Sequence, residues 1–143
     1  MIADFQKEGF ISVWLGNFEN LEELMDYTDF VFDEEGEAYG QFASHSALEW
    51  FDHDFVEVNF VGSSFNSRRC LYMHSYSSSF ADTISQALER ARHSEDNSLF
   101  LLYDCAYDPT LVEVSLACRL RFVGYFAYVK GAPTLQEKED ELH

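Results

Sequence analysis

Phe10-Ile11-Ser12-Val13-Trp14-Leu15 is a run of strand formers that stops at the turn pair Gly16-Asn17, and it predicts a first strand. A helix follows. Asn20 stands three places before Glu23 in a capping arrangement, and Leu21, Leu24 and Met25 recur at helical spacing while Glu22, Glu23 and Asp26 take the other side. Residues 29–41 mix aromatic side chains with Asp33-Glu34-Glu35-Gly36-Glu37 and read as an exposed loop, after which residues 41–48 fit a short helix. Val56, Val58 and Phe60 alternate with Glu57 and Asn59, which predicts a second strand.

Residues 62–67 are turn-rich, and Arg69 to His74 reads as a further short strand. Ser79 and Asp82 fit a capping box for the clearest helix of the chain, with Phe80, Ile84, Ala87, Leu88 and Ala91 on one face and Arg90, Arg92 and His93 at its end. Leu99 to Tyr103 is nearly all apolar, as a central strand is, and Asp108-Pro109 marks a turn. From Val112 the even positions Val114, Leu116, Cys118, Leu120, Phe122, Phe126 and Tyr128 predict β structure with a bend near residues 117–119 or at Gly124. The order of elements predicts an α+β fold, a mostly antiparallel sheet with two main helices packed on one face. Residues 1–132 read as a single domain and residues 133–143 as a charged tail, frayed or loosely helical.

Composition adds a core and a charge. Nearly half the side chains are apolar and 17% are aromatic, which is a folded chain's composition rather than a disordered one's. The net charge is −17, and its placement is uneven: from Glu8 to Ser67 there are fourteen Asp and Glu residues and no Lys or Arg. A single-sign surface of this kind solubilises, and it also steers a cationic partner while rejecting nucleic acid. Cys70, Cys105 and Cys118 form no CxxC pair and fit reduced thiols, pointing to the cytoplasm. The N-terminal residues have no signal-peptide pattern, and no apolar run is long enough for a membrane span, so no membrane partner is expected.

Asp52-His53-Asp54 with Glu57 is the densest set of groups able to hold a metal or move a proton, and it supports an alternative reading as a small hydrolase or metal-dependent enzyme. Neighbouring side chains at the start of a strand diverge, however, and no distant His completes a zinc pattern. No G-x-S-x-G elbow or phosphate-binding glycine loop is present, so no catalytic residue, metal or cofactor is predicted. Tyr27, Phe30, Phe32, Tyr39, Trp50 and Phe51 lie within the acidic half, where an aromatic side chain among carboxylates is either core or a docking anchor.

Three stretches carry a resemblance: Ser12-Val13-Trp14-Leu15-Gly16-Asn17-Phe18, Phe51-Asp52-His53-Asp54-Phe55-Val56-Glu57 and Phe122-Val123-Gly124-Tyr125-Phe126-Ala127-Tyr128. In order and spacing they resemble the immunity protein 22 family over most of residues 10–129, including the Ser79-Phe80 helix start, with His53 standing where an acidic residue would be expected. The resemblance implies a small bacterial protein of a polymorphic toxin system that neutralises a toxin domain by binding it. Joined to the charge, it leads to an expected basic toxin partner held by Glu34, Glu35, Glu37, Tyr39, Trp50, Asp52, Asp54 and Glu57. A non-catalytic adaptor without a toxin is the further alternative.

Overall fold

In the computed structural model, residues 4–63 and 65–141 are described; Ser64 of the turn-rich segment and the last two residues of the tail, Leu142 and His143, lie outside them. Strand β1 (Gln6–Gly16) is the centre of the molecule. It pairs antiparallel with β5 (Ser98–Cys105) on one side and β6 (Leu120–Ala127) on the other, and β4 (Val56–Phe60) extends the sheet beyond β5. Side chains alternate across a strand, so β1 sends Trp14 to one face and Ile11, Val13 and Leu15 to the other. Both faces are covered.

On the first face Trp14 is ringed by Phe42, Phe100, Tyr107 and Phe122, with ring centroids 5.2–5.6 Å away. Helix α1 (Leu21–Thr28) and helix α2 (Gln41–His45) close this layer with Leu24, Tyr27, Phe42 and Ala43. On the second face Leu99, Leu101 and Tyr103 of β5 meet Phe80, Ile84 and Leu88 from helix α3 (Ala81–Ala91) and its N-terminal flank, together with Leu71 and Leu135. The α+β class with an antiparallel sheet holds, but the expectation that both main helices share one face is corrected: α1 and α3 lie on opposite faces. The physical reason is β5, buried at every position and therefore apolar toward both sides.

Asn20 caps α1 as expected, its side chain accepting from the Glu23 N–H at 2.8 Å. The buried stripe is Leu24, Tyr27 and Thr28, however, whereas Leu21 and Met25 are exposed. Ser79 does not cap α3. Phe80 occupies that position without a side-chain bond, and the Ser79 hydroxyl donates to the Tyr76 carbonyl and accepts from Val129 N–H. Arg69 to His74 is not a strand but begins as a 3₁₀ turn, Arg69–Leu71, because the Asn66 carboxamide captures the Arg68 and Arg69 N–H groups and Leu71 turns into the core. The alternation at residues 112–118 is not β structure either. This segment is an irregular loop with Val114 and Leu116 exposed, and the strand begins at Leu120.

Residues 29–41 contain a hairpin, β2 (Phe30–Phe32) and β3 (Ala38–Gly40), with the acidic residues at its tip. The C-terminal segment forms α4 (Leu135–Asp140) behind a complete Thr134/Glu137 capping box, docked by buried Leu135 and by its N–H bond to the Ser77 hydroxyl at 2.7 Å. Within the described residues, no helix is long and apolar enough to cross a membrane.

Candidate partner-binding site

The hairpin tip is built by one aspartate. Asp33 Oδ1 accepts from the Glu35 and Glu37 N–H groups, each at 2.9 Å, and Gly36 takes the left-handed conformation that the turn requires (φ +82°). Glu34, Glu35 and Glu37 are thereby left pointing to solvent around a folded turn. In the strands, Val31 pairs with Tyr39, and both are exposed. Phe30 faces the opposite way and packs on Phe51 and His53, with ring centroids at 4.9 and 5.5 Å. This contact ties the hairpin to residues 49–55.

The second segment follows α2 through two left-handed non-glycine residues, Ala47 (φ +63°) and Glu49 (φ +65°). Trp50 N–H bonds the Leu48 carbonyl at 2.7 Å, closing a γ-turn with positive φ at its middle residue, a strained conformation that clusters at binding sites. The turn sends Leu48 and Phe51 inward and leaves Trp50 63% exposed. Asp52 then caps the 3₁₀ turn His53–Phe55 by accepting from the Asp54 N–H. Beside the segment lies a cleft of about 540 Å³ between Trp50, Phe55 and the end of β5.

Six of the eight residues singled out from the sequence, Glu34, Glu35, Glu37, Tyr39, Trp50 and Asp54, are exposed on the hairpin or the 49–55 segment, and half-buried Asp52 lies beside them. Glu57 is elsewhere. Strand alternation turns it to the α3 side, where its carboxylate accepts from His74 Nδ1, Ser75 N–H, Ser75 Oγ and Tyr103 OH at 2.6–3.0 Å. Burial would raise its pKa, but these donors prevail and hold it down to about 2. The Ser75 hydroxyl is spent on Glu57 rather than on His74, so these three groups lack the nucleophile-to-base bond of a hydrolytic triad.

The aromatic residues of the acidic half divide in two. Tyr27 and Phe51 are core, and Phe30 is half-buried, whereas Phe32, Tyr39 and Trp50 are exposed. Tyr27 OH is hydrogen-bonded to His45 Nδ1 and accepts from Arg119 N–H, and burial raises its pKa. Asp52, His53, Asp54 and Glu57 do not converge, and among the described residues no three His, Cys, Asp or Glu side chains are grouped to hold a metal ion. An arginine-lined hollow at the end of α3 has Arg68 paired with Asp82 and Arg92 with Glu89. Sequence reasoning missed Val31 and Phe55 as exposed apolar groups, and it missed the hairpin, for which the Phe30-Val31-Phe32 run and Gly36 were a usable signal. The left-handed turn at Ala47 and Glu49 had none, since neither residue type favours that conformation.

The three stretches that carry the resemblance are now placed. Trp14 centres the first core, and a Cβ at Gly16 would meet the Arg119 carbonyl oxygen at 2.8 Å, so that position accepts only glycine. Phe18 is buried beneath the Arg119 guanidinium, 4.2 Å from its ring, Phe51 and Glu57 join opposite faces of the sheet, and β6 carries the third stretch. Compared with known families, the sequence matches the Immunity protein 22 family over residues 11–129. The chain belongs to that family. As a member of the Immunity protein 22 family it has an immunity role; within the three stretches Trp14, Gly16, Phe18 and Phe51 serve the fold, while Asp52, Asp54 and Phe55 lie on the 49–55 segment. Comparison with curated proteins and with solved structures gives no match.

Proposed function

We propose that this protein neutralises a cognate bacterial toxin domain by binding it, without catalysis, in the cytoplasm of the producing cell, and that the toxin surface it covers is basic. The observation that carries the reading is the joining, within an immunity family, of an acidic hairpin tip to exposed Tyr39 and Trp50 in the stretch Glu8 to Ser67, which has no Lys or Arg. Carboxylates around exposed aromatic anchors favour a cationic protein: the charges speed encounter and the rings hold contact. Occlusion of the toxin requires no cofactor.

Co-expression is the test. Cells that make the toxin encoded beside this gene should grow when the protein is supplied, and the two chains should co-purify as a one-to-one complex. Growth arrest that persists in the presence of abundant folded protein sinks the reading.

A further inference from the structure

We propose that the cleft beside Trp50 is a receptor for one bulky apolar side chain of the partner, presented on a segment flanked by Lys or Arg. The inference rests on the toxin-binding function proposed above and goes beyond it, because it assigns a concave pocket where charge alone would give only a flat acidic face. Four observations meet there.

The cleft is formed where the sheet loses a strand. β4 starts its pairing at Val56 opposite Leu102, while β5 continues to Cys105, and the three further residues of β5 are flanked by the 3₁₀ turn at 53–55 instead of a strand. The floor is apolar: Phe5, Leu48, Phe51 and Leu102 line it. Trp50 and Phe55 stand at its mouth, 63% and 38% exposed, so two large rings are left in water beside an apolar hollow. Such a hollow with aromatic walls is where a single anchoring side chain gains most on desolvation.

Backbone strain points to the same place. Two left-handed non-glycine residues in succession of three, with a γ-turn between Leu48 and Trp50, are conformations that the chain holds against cost directly behind the exposed ring. The rim supplies the remaining discrimination. Asp4, Glu49, Asp52 and Asp104 line the cleft; Asp104 is neutralised by Lys130 at 2.8 Å, and among the described residues no Lys or Arg lines the cleft itself, so an apolar side chain between cations is favoured over one between carboxylates. A volume of about 540 Å³ accommodates an aromatic or long aliphatic side chain with its neighbouring backbone.

The probe is the toxin domain encoded beside this gene, inactivated by mutation and purified, with the full-length protein as its ligand. Trp50→Ala removes one wall of the cleft, and Gln6→Trp fills the cleft from an exposed position on β1 while leaving Trp50 in place. Both should speed dissociation by about tenfold or more, with association changed by less than about twofold. Tyr125→Ala, an exposed change on β6, should leave both rates unaltered. Incorporating 5-fluorotryptophan into this chain alone gives separate resonances for Trp14 and Trp50, and only the Trp50 signal should move on binding. No complex with the unmodified protein overturns the proposed function and this inference with it. A tight complex in which Trp50→Ala and Gln6→Trp dissociate normally, with the Trp50 resonance unmoved, overturns the cleft alone.

Discussion

Ala47 is a single residue held here at a cost. Ala47 sits in the left-handed region at φ +63°, which costs an L-residue about 1–2 kcal/mol, whereas glycine would lose roughly 0.5–1 kcal/mol more chain entropy on folding. The difference favours glycine. Ala47→Gly should therefore raise stability by about 0.5–1 kcal/mol, read as a higher urea midpoint at unchanged slope. Glu57 is the opposite case, a carboxylate whose donors from His74, Ser75 and Tyr103 lower its pKa to about 2. A depressed folded pKa contributes stability above the unfolded value, near 4.5, that is lost as pH falls toward 2. Glu57→Gln should cost about 1–3 kcal/mol at about pH 7 and much less at about pH 3, compared by urea unfolding at the two pH values. An equal cost at both would show that the network does not depend on the charge.

Among the elements, the hairpin is the one whose removal of charge should change function without changing the fold. Glu34, Glu35 and Glu37 are exposed, and the turn beneath them is held by Asp33, not by them. Converting all three to Gln should slow toxin association several-fold at low salt and flatten its salt dependence, with the thermal midpoint shifted by no more than about 2 °C. Stopped-flow association at two ionic strengths checks this, and an unchanged rate would assign the tip to solubility. The elements themselves were legible where local pattern and tertiary neighbours agree. β1, β4, β5 and α3 all show the period their burial requires, and Asn20 capped α1 as its position implied. At residues 112–118 the period-2 pattern was present but no strand lay beside it. β6 has β1 as its neighbour only from Leu120, and the loop before it instead bonds α2, Ser115 N–H to the His45 carbonyl. The docking surface was half legible for a related reason. Charge marks the hairpin tip in the sequence, but exposure of Trp50 and burial of Phe51 are decided by a γ-turn that residue types do not announce.

For the whole molecule, a net charge of −17 is a stress on the folded state that the two cores must overcome. Raising ionic strength from about 10 mM to about 0.15 M shortens the screening length from about 30 Å to about 8 Å, which relieves that repulsion. The free protein should accordingly melt at a higher temperature in salt, while its association with a basic toxin slows; calorimetry and rate measurements in the same buffers separate the two. A thermal midpoint that falls with salt would mean that favourable pairs such as Arg121–Asp96 and Lys130–Asp104 outweigh the repulsion.

The strand order β4-β5-β1-β6 also governs when the protein becomes useful after its synthesis begins. β1 is made first and has no partner nearby in the chain: Trp14 lies opposite Phe100 and Phe122, so both of its neighbours come from the last third of the sequence. At roughly 5–20 residues per second, the 103 residues between Gly16 and Leu120 keep β1 waiting for about 5–20 s with its apolar side chains uncovered. Non-local pairing of this kind also folds slowly once the chain is complete. A ribosome that stalls before β6 yields a fragment whose central strand has an open edge and an uncovered tryptophan, prone to aggregate and unable to protect. Immunity is thus supplied only by finished chains, and a cell that makes both proteins is safe only if a folded stock of this one already exists when the first toxin molecule arrives.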